Sequence, residues 1–143
     1  PDGTQLADIS YHGMGEWLTP CWDTDGVAIV HARYTAGSAF SQIYVMHSDG
    51  TGARRLTFSG DLDYDPKWSP DSSSIAFVRQ RPGRETIWIM DADGANARFL
   101  ADGSEPSWLP SGVGIIYTPP SELSPPAFWI INTDGTGMRS LRP

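Results

Sequence analysis

Three Pro-x-Trp segments, each followed by a turn and a short apolar run, constrain this chain more than any other feature. Pro66-Lys67-Trp68-Ser69-Pro70-Asp71 precedes Ser74-Ile75-Ala76-Phe77-Val78. Pro20-Cys21-Trp22-Asp23-Thr24-Asp25-Gly26 leads into Val27-Ala28-Ile29-Val30, and Pro106-Ser107-Trp108-Leu109-Pro110-Ser111-Gly112 leads into Val113-Gly114-Ile115-Ile116-Tyr117. The tryptophans stand 46 and then 40 residues apart. Self-similarity at such a period marks a repeat architecture built from one supersecondary unit.

A second unit recurs in phase with the first. Ile43-Tyr44-Val45-Met46-His47-Ser48-Asp49-Gly50 is followed by Arg54-Arg55-Leu56-Thr57. Ile87-Trp88-Ile89-Met90-Asp91-Ala92-Asp93-Gly94 is followed by Arg98-Phe99-Leu100, and Phe128-Trp129-Ile130-Ile131-Asn132-Thr133-Asp134-Gly135 by Arg139-Ser140-Leu141. In each copy seven residues separate the Asp of the turn from the aliphatic anchor. Asp-Gly between two apolar strands favours a tight hairpin, because Gly accepts the positive φ that the turn demands.

Each repeat therefore reads as four short antiparallel strands, the signature of a β-propeller blade. A β-sandwich would not repeat its tryptophan, its Asp-Gly turn and its aliphatic anchor in phase. The expected blades run over residues 17–58, 61–100 and 104–142, within a single propeller segment spanning 1–143. Asp2-Gly3 lies seven residues before Ile9, so residues 1–11 are expected to be an orphan outer strand. The chain opens at Pro1 rather than Met, which is compatible with a processed or unseen N-terminal segment.

Composition agrees. The 15 Gly and 12 Pro among 143 residues favour short strands joined by turns over long helices. No apolar run approaches the roughly 20 residues of a membrane span. A net charge of -7 argues against nucleic acid as a partner, since phosphate binding needs a basic stripe. The lone Cys21 excludes an internal disulfide, and its place in the Pro-x-Trp motif points to packing.

These residues resemble a known family. Asp65-Pro66-Lys67-Trp68-Ser69-Pro70-Asp71, Ile75-Ala76-Phe77, Ile87 to Gly94 and Arg54-Arg55-Leu56-Thr57 are similar to the PD40 repeat of TolB-like, WD40-like propellers. The same repeat occurs in the propeller domains of tricorn-type and prolyl-oligopeptidase-type proteins. The first and third copies depart from it, at Asp23-Thr24-Asp25-Gly26 and Leu109-Pro110-Ser111-Gly112. The resemblance implies a periplasmic or extracellular setting in the bacterial cell envelope. It also implies a non-catalytic scaffold that docks partner proteins across a loop-rich mouth.

Three blades cannot close a ring, and an open blade end is an apolar patch that soluble proteins rarely expose. The chain is therefore expected to be part of a longer protein, to self-associate, or to have its ends covered in a larger complex. Strand complementation by the orphan strand is a further route.

Blade geometry sorts the loops. With the strands lettered a to d outward from the axis, the a–b and c–d turns share one face and the b–c and d–a loops share the other. The second set is expected to be long and different in each blade, at 12–19, 33–41, 59–65, 79–86, 101–105 and 118–127. Binding on a rigid scaffold tends to sit on such loops. Trp17, Tyr34, Phe40, Asp61, Asp63, Tyr64, Arg79 and Arg81 are the expected partner-binding residues, since Trp, Tyr and Arg are enriched at interface hot spots.

Asp61-Leu62-Asp63-Tyr64-Asp65 would place three carboxylates on one side of an extended segment. A cation site is conceivable there, but an acidic residue before Pro is routine in this repeat, so no metal and no cofactor is expected. No Gly-x-Ser-x-Gly nucleophile elbow exists, and His12, His31 and His47 have no nucleophile neighbour. A non-enzymatic protein–protein interaction scaffold follows. The alternatives are the substrate-gating propeller of a prolyl-oligopeptidase-like or tricorn-like peptidase, and a small-ligand or glycan-binding propeller.

Overall fold

The structure, a computed structural model, describes residues 17–34, 37–120 and 128–141. The expected orphan strand at 1–11 lies outside the described residues. Twelve strands among them form three four-stranded antiparallel sheets, each made from consecutive strands. The first contains β1 (Trp17–Trp22), β2 (Ala28–Tyr34), β3 (Ser41–His47) and β4 (Arg54–Arg55). The second contains β5 (Leu62–Trp68), β6 (Ser74–Arg81), β7 (Arg84–Asp91) and β8 (Arg98–Asp102). The third contains β9 (Ser104–Trp108), β10 (Gly114–Thr118), β11 (Phe128–Asn132) and β12 (Arg139–Leu141). This is an all-β stack of three propeller blades, and it does not close into a ring.

Alternation along the strands decides how the sheets stack. Successive side chains point to opposite faces of a sheet, so every blade has two packing faces. From the first sheet, Val30, Ala32, Ile43, Val45 and Leu56 pack forward onto Ile75, Phe77 and Met90 of the second, with Trp68 and Trp88 alongside. From the second sheet, Ala76, Ile87, Leu100 and Ala101 pack forward onto Ile115, Tyr117 and Ile131 of the third, with Trp108 and Trp129 alongside. Ile75 and Ala76 are sequence neighbours that serve different inter-sheet cores, and both are fully buried. Burying each large apolar side chain contributes roughly 1.5–3 kcal/mol, so these two layers hold the stack together. Cys21 packs against the first of them.

Trp22, in phase with Trp68 and Trp108, is expected to pack between blades but is 55% exposed. It stands on the rear face of the first sheet, where no described blade precedes it.

One end of the stack is regular. In each blade an amide of the c–d turn donates to a carbonyl of the a–b turn: Ser48 to Val27, Ala92 to Ser73 and Thr133 to Val113, at 2.8, 3.0 and 3.0 Å. These bonds place both turn sets on one face. Asp49, Asp93 and Asp134 each accept from the backbone amide two residues on, the Asx geometry that closes the turn. Between blades, Thr24 donates its hydroxyl to the Pro70 carbonyl at 2.5 Å and its amide to the Ser72 hydroxyl at 3.0 Å.

The inner strands carry a second repeated device. Thr19, Asp65 and Glu105, each just before the motif proline, all have positive φ, at 49°, 50° and 56°. The strand register slips at each of these places. An inserted residue of this kind bends the strand and re-aims its side chain. Left-handed backbone at a non-glycine costs on the order of 1 kcal/mol, so its appearance in all three blades is a built feature.

Candidate docking face

The opposite end of the stack is irregular; of the expected binding residues, Asp61, Asp63, Tyr64, Arg79 and Arg81 fall on or beside β5 and β6, and Trp17, Tyr34 and Phe40 on the first blade. The junction into the second blade is held by the first. Ser41 Oγ donates to the Asp63 carbonyl at 2.6 Å, and Gln42 Nε2 donates to the Asp61 carbonyl at 2.8 Å. Thr57 Oγ1 donates to Gln42 Oε1 at 3.2 Å and accepts from the Ile43 amide at 2.9 Å. Ser41, Gln42 and Thr57 are buried, so these polar groups replace water with one another.

The strands of the second blade reach further than the loop pattern predicts. The 79–86 segment, expected as a variable loop, is a continuation of β6 and β7 closed by Pro82-Gly83, with Arg81 paired to Arg84. Pro82 supplies a fixed φ and Gly83 a φ of +74°. The expected 101–105 loop is reduced to Gly103, between β8 and β9.

The three spaced carboxylates each take a basic partner. Asp63 is fully buried and accepts from Arg79 Nε at 2.7 Å and Nη2 at 3.0 Å. Asp61 accepts from Arg81 Nε at 2.9 Å, and Asp65 lies 2.7 Å from Lys67 Nζ. Among the described residues no group of three His, Cys, Asp or Glu is disposed to hold a metal ion. Arg79 is turned inward, its guanidinium 4.3 Å from the Trp88 ring centre and 5.4 Å from that of Phe77. Its functional group is committed inside the blade, whereas the Arg81 side chain is 58% exposed.

Tyr64 donates its hydroxyl to Glu85 Oε1. Burial, that bond and the charges of Glu85, Asp65 and Glu105 all push its ionisation upward, so it remains a neutral donor. Two of these three carboxylates belong to the positive-φ positions, and no periodicity argument singles out Glu85 or Glu105. Arg84 was also missed; it bonds Asp102 Oδ1 at 2.6 Å and lies over Phe99. The signal available was the Arg-Pro-Gly-Arg hairpin, which brings two arginines side by side at a blade tip.

On the first blade, Tyr34 is half-buried at the end of β2, opposite Ser41, and Phe40 is 43% exposed. Phe40 donates its amide to Ser38 Oγ at 3.1 Å. Trp17 opens β1 opposite Arg33, and its side chain lies outside the described residues. This end therefore offers exposed guanidinium groups, paired carboxylates, a phenol and an exposed aromatic on rigid strand ends. Such a surface can form charge-assisted hydrogen bonds and bury an aromatic anchor.

A radial stack of four-stranded sheets, with regular turns on one end and an irregular charged rim on the other, defines a β-propeller segment. A family model described as the TolB beta propeller domain matches residues 2–142, and the chain belongs to that family. It is 42% identical over 71 residues to the Tol-Pal system protein TolB of Zymomonas mobilis, covering 46% of this chain and 15% of that protein. It is 34% identical over 83 residues to the uncharacterized peptidase YuxL of Bacillus subtilis, covering 54% of this chain and 13% of that one. The crystal structure of TolB from Acinetobacter baumannii superposes with a TM-score of 0.79 at 21% identity, over 98% of this chain and 35% of that chain. The chain thus spans about an eighth to a seventh of these two curated relatives. Among its described residues, no helix is long and apolar enough to cross a membrane.

Proposed function

We propose that the chain is a non-catalytic protein-interaction scaffold of the TolB type, acting in the bacterial cell envelope, periplasmic or extracellular. It docks protein partners through the b–c and d–a end of its blades. One observation carries this reading. The three blades repeat their turns bond for bond on one end, yet at the other end the first two present different groups, Tyr34 and Phe40 on one and Tyr64, Arg81 and Arg84 on the other. Sameness on one end serves the fold, and difference on the other serves recognition. Likeness to TolB proteins supports the envelope setting and a role within a larger assembly, with a protein partner completing the ring. Tyr64 and Arg81 are the residues through which such a partner is read, with Phe40, Asp61 and Tyr34 around them.

The test compares capture of envelope proteins by the tagged chain and by its variants. Arg81→Ala, Tyr64→Phe and Phe40→Ser should each weaken a stoichiometric capture at least tenfold while leaving the thermal midpoint within a few degrees. Asp134→Asn, on the regular end, should leave capture unchanged. If the irregular-end variants capture as the parent does, the docking face is assigned to the wrong end.

A second reading, a substrate-gating propeller of a peptidase, is favoured by the likeness to YuxL. A hydrolase domain in the same polypeptide would select it over the scaffold.

A further inference from the structure

Five Asp-Gly pairs fall among the described residues, at 25–26, 49–50, 93–94, 102–103 and 134–135, and the carboxylates of four are pinned. Asp49 Oδ1 accepts from the Thr51 amide and hydroxyl at 2.9 and 2.7 Å, and Asp134 Oδ1 from those of Thr136 at 2.8 and 2.6 Å. Asp93 Oδ1 accepts from the Ala95 amide at 2.8 Å, and Asp102 Oδ1 from Arg84 Nε at 2.6 Å. Asp25 is exposed, and among the described residues its carboxylate takes part in no hydrogen bond or ion pair.

The glycine amides divide in the same way. Those of Gly50, Gly94 and Gly135 donate at 2.9 Å to the carbonyls of His47, Asp91 and Asn132, and that of Gly103 at 3.0 Å to Glu85. The Gly26 amide reaches the Asp23 carbonyl only at 3.3 Å, beyond the usual range of an N–H···O bond.

The sequence accounts for the difference. Asp25 stands three residues after its motif tryptophan, as Asp71 does in the second blade. Asp71 Oδ1 accepts from the Ser69 hydroxyl at 2.6 Å and from the Ser73 hydroxyl and amide at 2.8 and 3.1 Å. The matching residues of the first blade are Asp23 and Val27, whose side chains have no donor to offer. The Val27 amide goes instead to Asp23 Oδ1 at 2.8 Å, so Asp25 is left without the bonds that hold Asp71.

We propose that Asp25-Gly26 is a site of spontaneous backbone modification, at which the folded chain acquires an isoaspartyl residue while the other four pairs stay inert. The Gly26 nitrogen attacks Asp25 Cγ, an N–Cγ bond forms, and the amide proton leaves with a carboxyl oxygen and its proton as water. The product is a five-membered succinimide. Water then opens the ring: attack at Cγ restores Asp, and attack at the former backbone carbonyl leaves a chain that runs through Cβ and Cγ. Water is the one co-reactant, and no oxidant or reductant takes part. Glycine leaves the attacking nitrogen unshielded, and a Cβ built at 26 would meet nothing within 4 Å, so the approach is open. Pinning blocks the step by drawing Cγ away from the glycine nitrogen. It also favours the ionised carboxylate, which carries no hydroxyl to lose, and the threonine bonds lower Asp49 and Asp134 accordingly.

The modification would fall beside the latch between the first two blades. Thr24 makes both of its bonds, to Pro70 and Ser72, from the residue before Asp25. An isoaspartyl residue adds one atom to the main chain there and moves the carboxylate onto Cα. This inference is independent of the docking end proposed above, because the a–b turn lies on the regular end.

The experiment warms the full chain at neutral pH for several weeks, folded and in urea, and counts isoaspartate at each Asp-Gly pair by peptide mapping with electron-transfer fragmentation. In urea the five pairs should react at similar rates. Folding should slow the four pinned pairs at least tenfold and position 25 less than threefold. The double variant Asp23→Ser, Val27→Ser restores the donors that Asp71 enjoys and should cut isoaspartate at 25 at least fivefold. Amide exchange at Thr24 should quicken in the aged parent. Equal accumulation at the five pairs in the folded chain overturns the proposal, as does a different pair leading. A folded double variant that ages at the parental rate overturns it too, and if that variant does not fold, the folded-to-urea ratios of the parent decide alone.

Discussion

Asp63 and Arg79 face each other across the β5–β6 pairing and exchange two hydrogen bonds, with the carboxylate fully buried and the guanidinium stacked on Trp88. Ser59 Oγ adds a third bond to the same carboxylate at 2.9 Å. A buried pair of this kind is a weak source of net stability, but removing one partner strands the other charge in a poorly solvated site. Asp63→Asn or Arg79→Ala should therefore lower unfolding free energy by about 3–5 kcal/mol. The double variant Asp63→Leu, Arg79→Met should recover most of that loss. Urea unfolding of the three proteins measures the difference. By contrast, Arg81→Ala breaks an exposed pair with Asp61 and should cost about 1 kcal/mol or less.

That contrast shows what sequence reasoning reached here. The in-phase tryptophans, Asp-Gly turns and aliphatic anchors carry period information, so the four-strand unit and the division into two loop ends were legible. Asp61 directly precedes β5, Asp63 and Tyr64 lie on it, and Arg79 and Arg81 lie on its neighbour β6. Their division into a buried pair and an exposed pair was not legible. Arg79 and Arg81 have the same parity on β6, and only the depth of the neighbouring blade separates them. Nor does any pattern announce that Arg54 and Arg98 span blades, because their acceptors are backbone carbonyls, which have no residue signature. The left-handed backbone at Thr19, Asp65 and Glu105 escaped for a related reason. Three different side chains share a conformation, and the common neighbour is a proline whose effect is normally to favour extended backbone.

The indole bond from Trp108 to the Lys67 carbonyl joins the third sheet to the second. Trp108→Phe keeps an aromatic at that place and removes the donor. The expected loss is about 1–2 kcal/mol, one net hydrogen bond plus a small packing defect. Hydrogen exchange should localise it, with β9 and β10 opening earlier than β2 and β3.

Gly103 joins β8 to β9 with a φ of +142°, and a Cβ there would come within 2.8 Å of the Tyr117 ring and meet the Thr118 carbonyl. Backbone and a buried ring cannot both yield, so Gly103→Ala should lower stability by more than about 2 kcal/mol. Gly60, at the junction between the first and second blades, has open space around its Cβ position. Gly60→Ala should stay within about 0.5 kcal/mol of the parent. Thermal unfolding of the two variants side by side checks both values, and equal losses would contradict the packing described for the second junction.

His31 holds the position that Phe77 and Tyr117 hold in the other blades. It is buried, stacks parallel to Tyr44 with ring centres 5.9 Å apart, and is followed along its strand by Arg33. Burial first, and the Arg33 charge second, lower its pKa from 6.5 to about 4. The folded state thus binds fewer protons than the unfolded state between those two values. Stability from this group is complete above pH 6.5, falls as the pH drops towards about 4, and changes no further below that. The turn carboxylates do not obscure this window. Asp71 is held down at about 2 by hydrogen bonds from Ser69 and Ser73, and Asp49 and Asp134 are lowered by their threonines. The protein should lose about 2 kcal/mol between pH 7.5 and pH 5 through His31 alone. His31→Phe should flatten that slope, read as the difference in urea midpoint at the two pH values, while a slope that persists unchanged would assign the acid sensitivity to other groups.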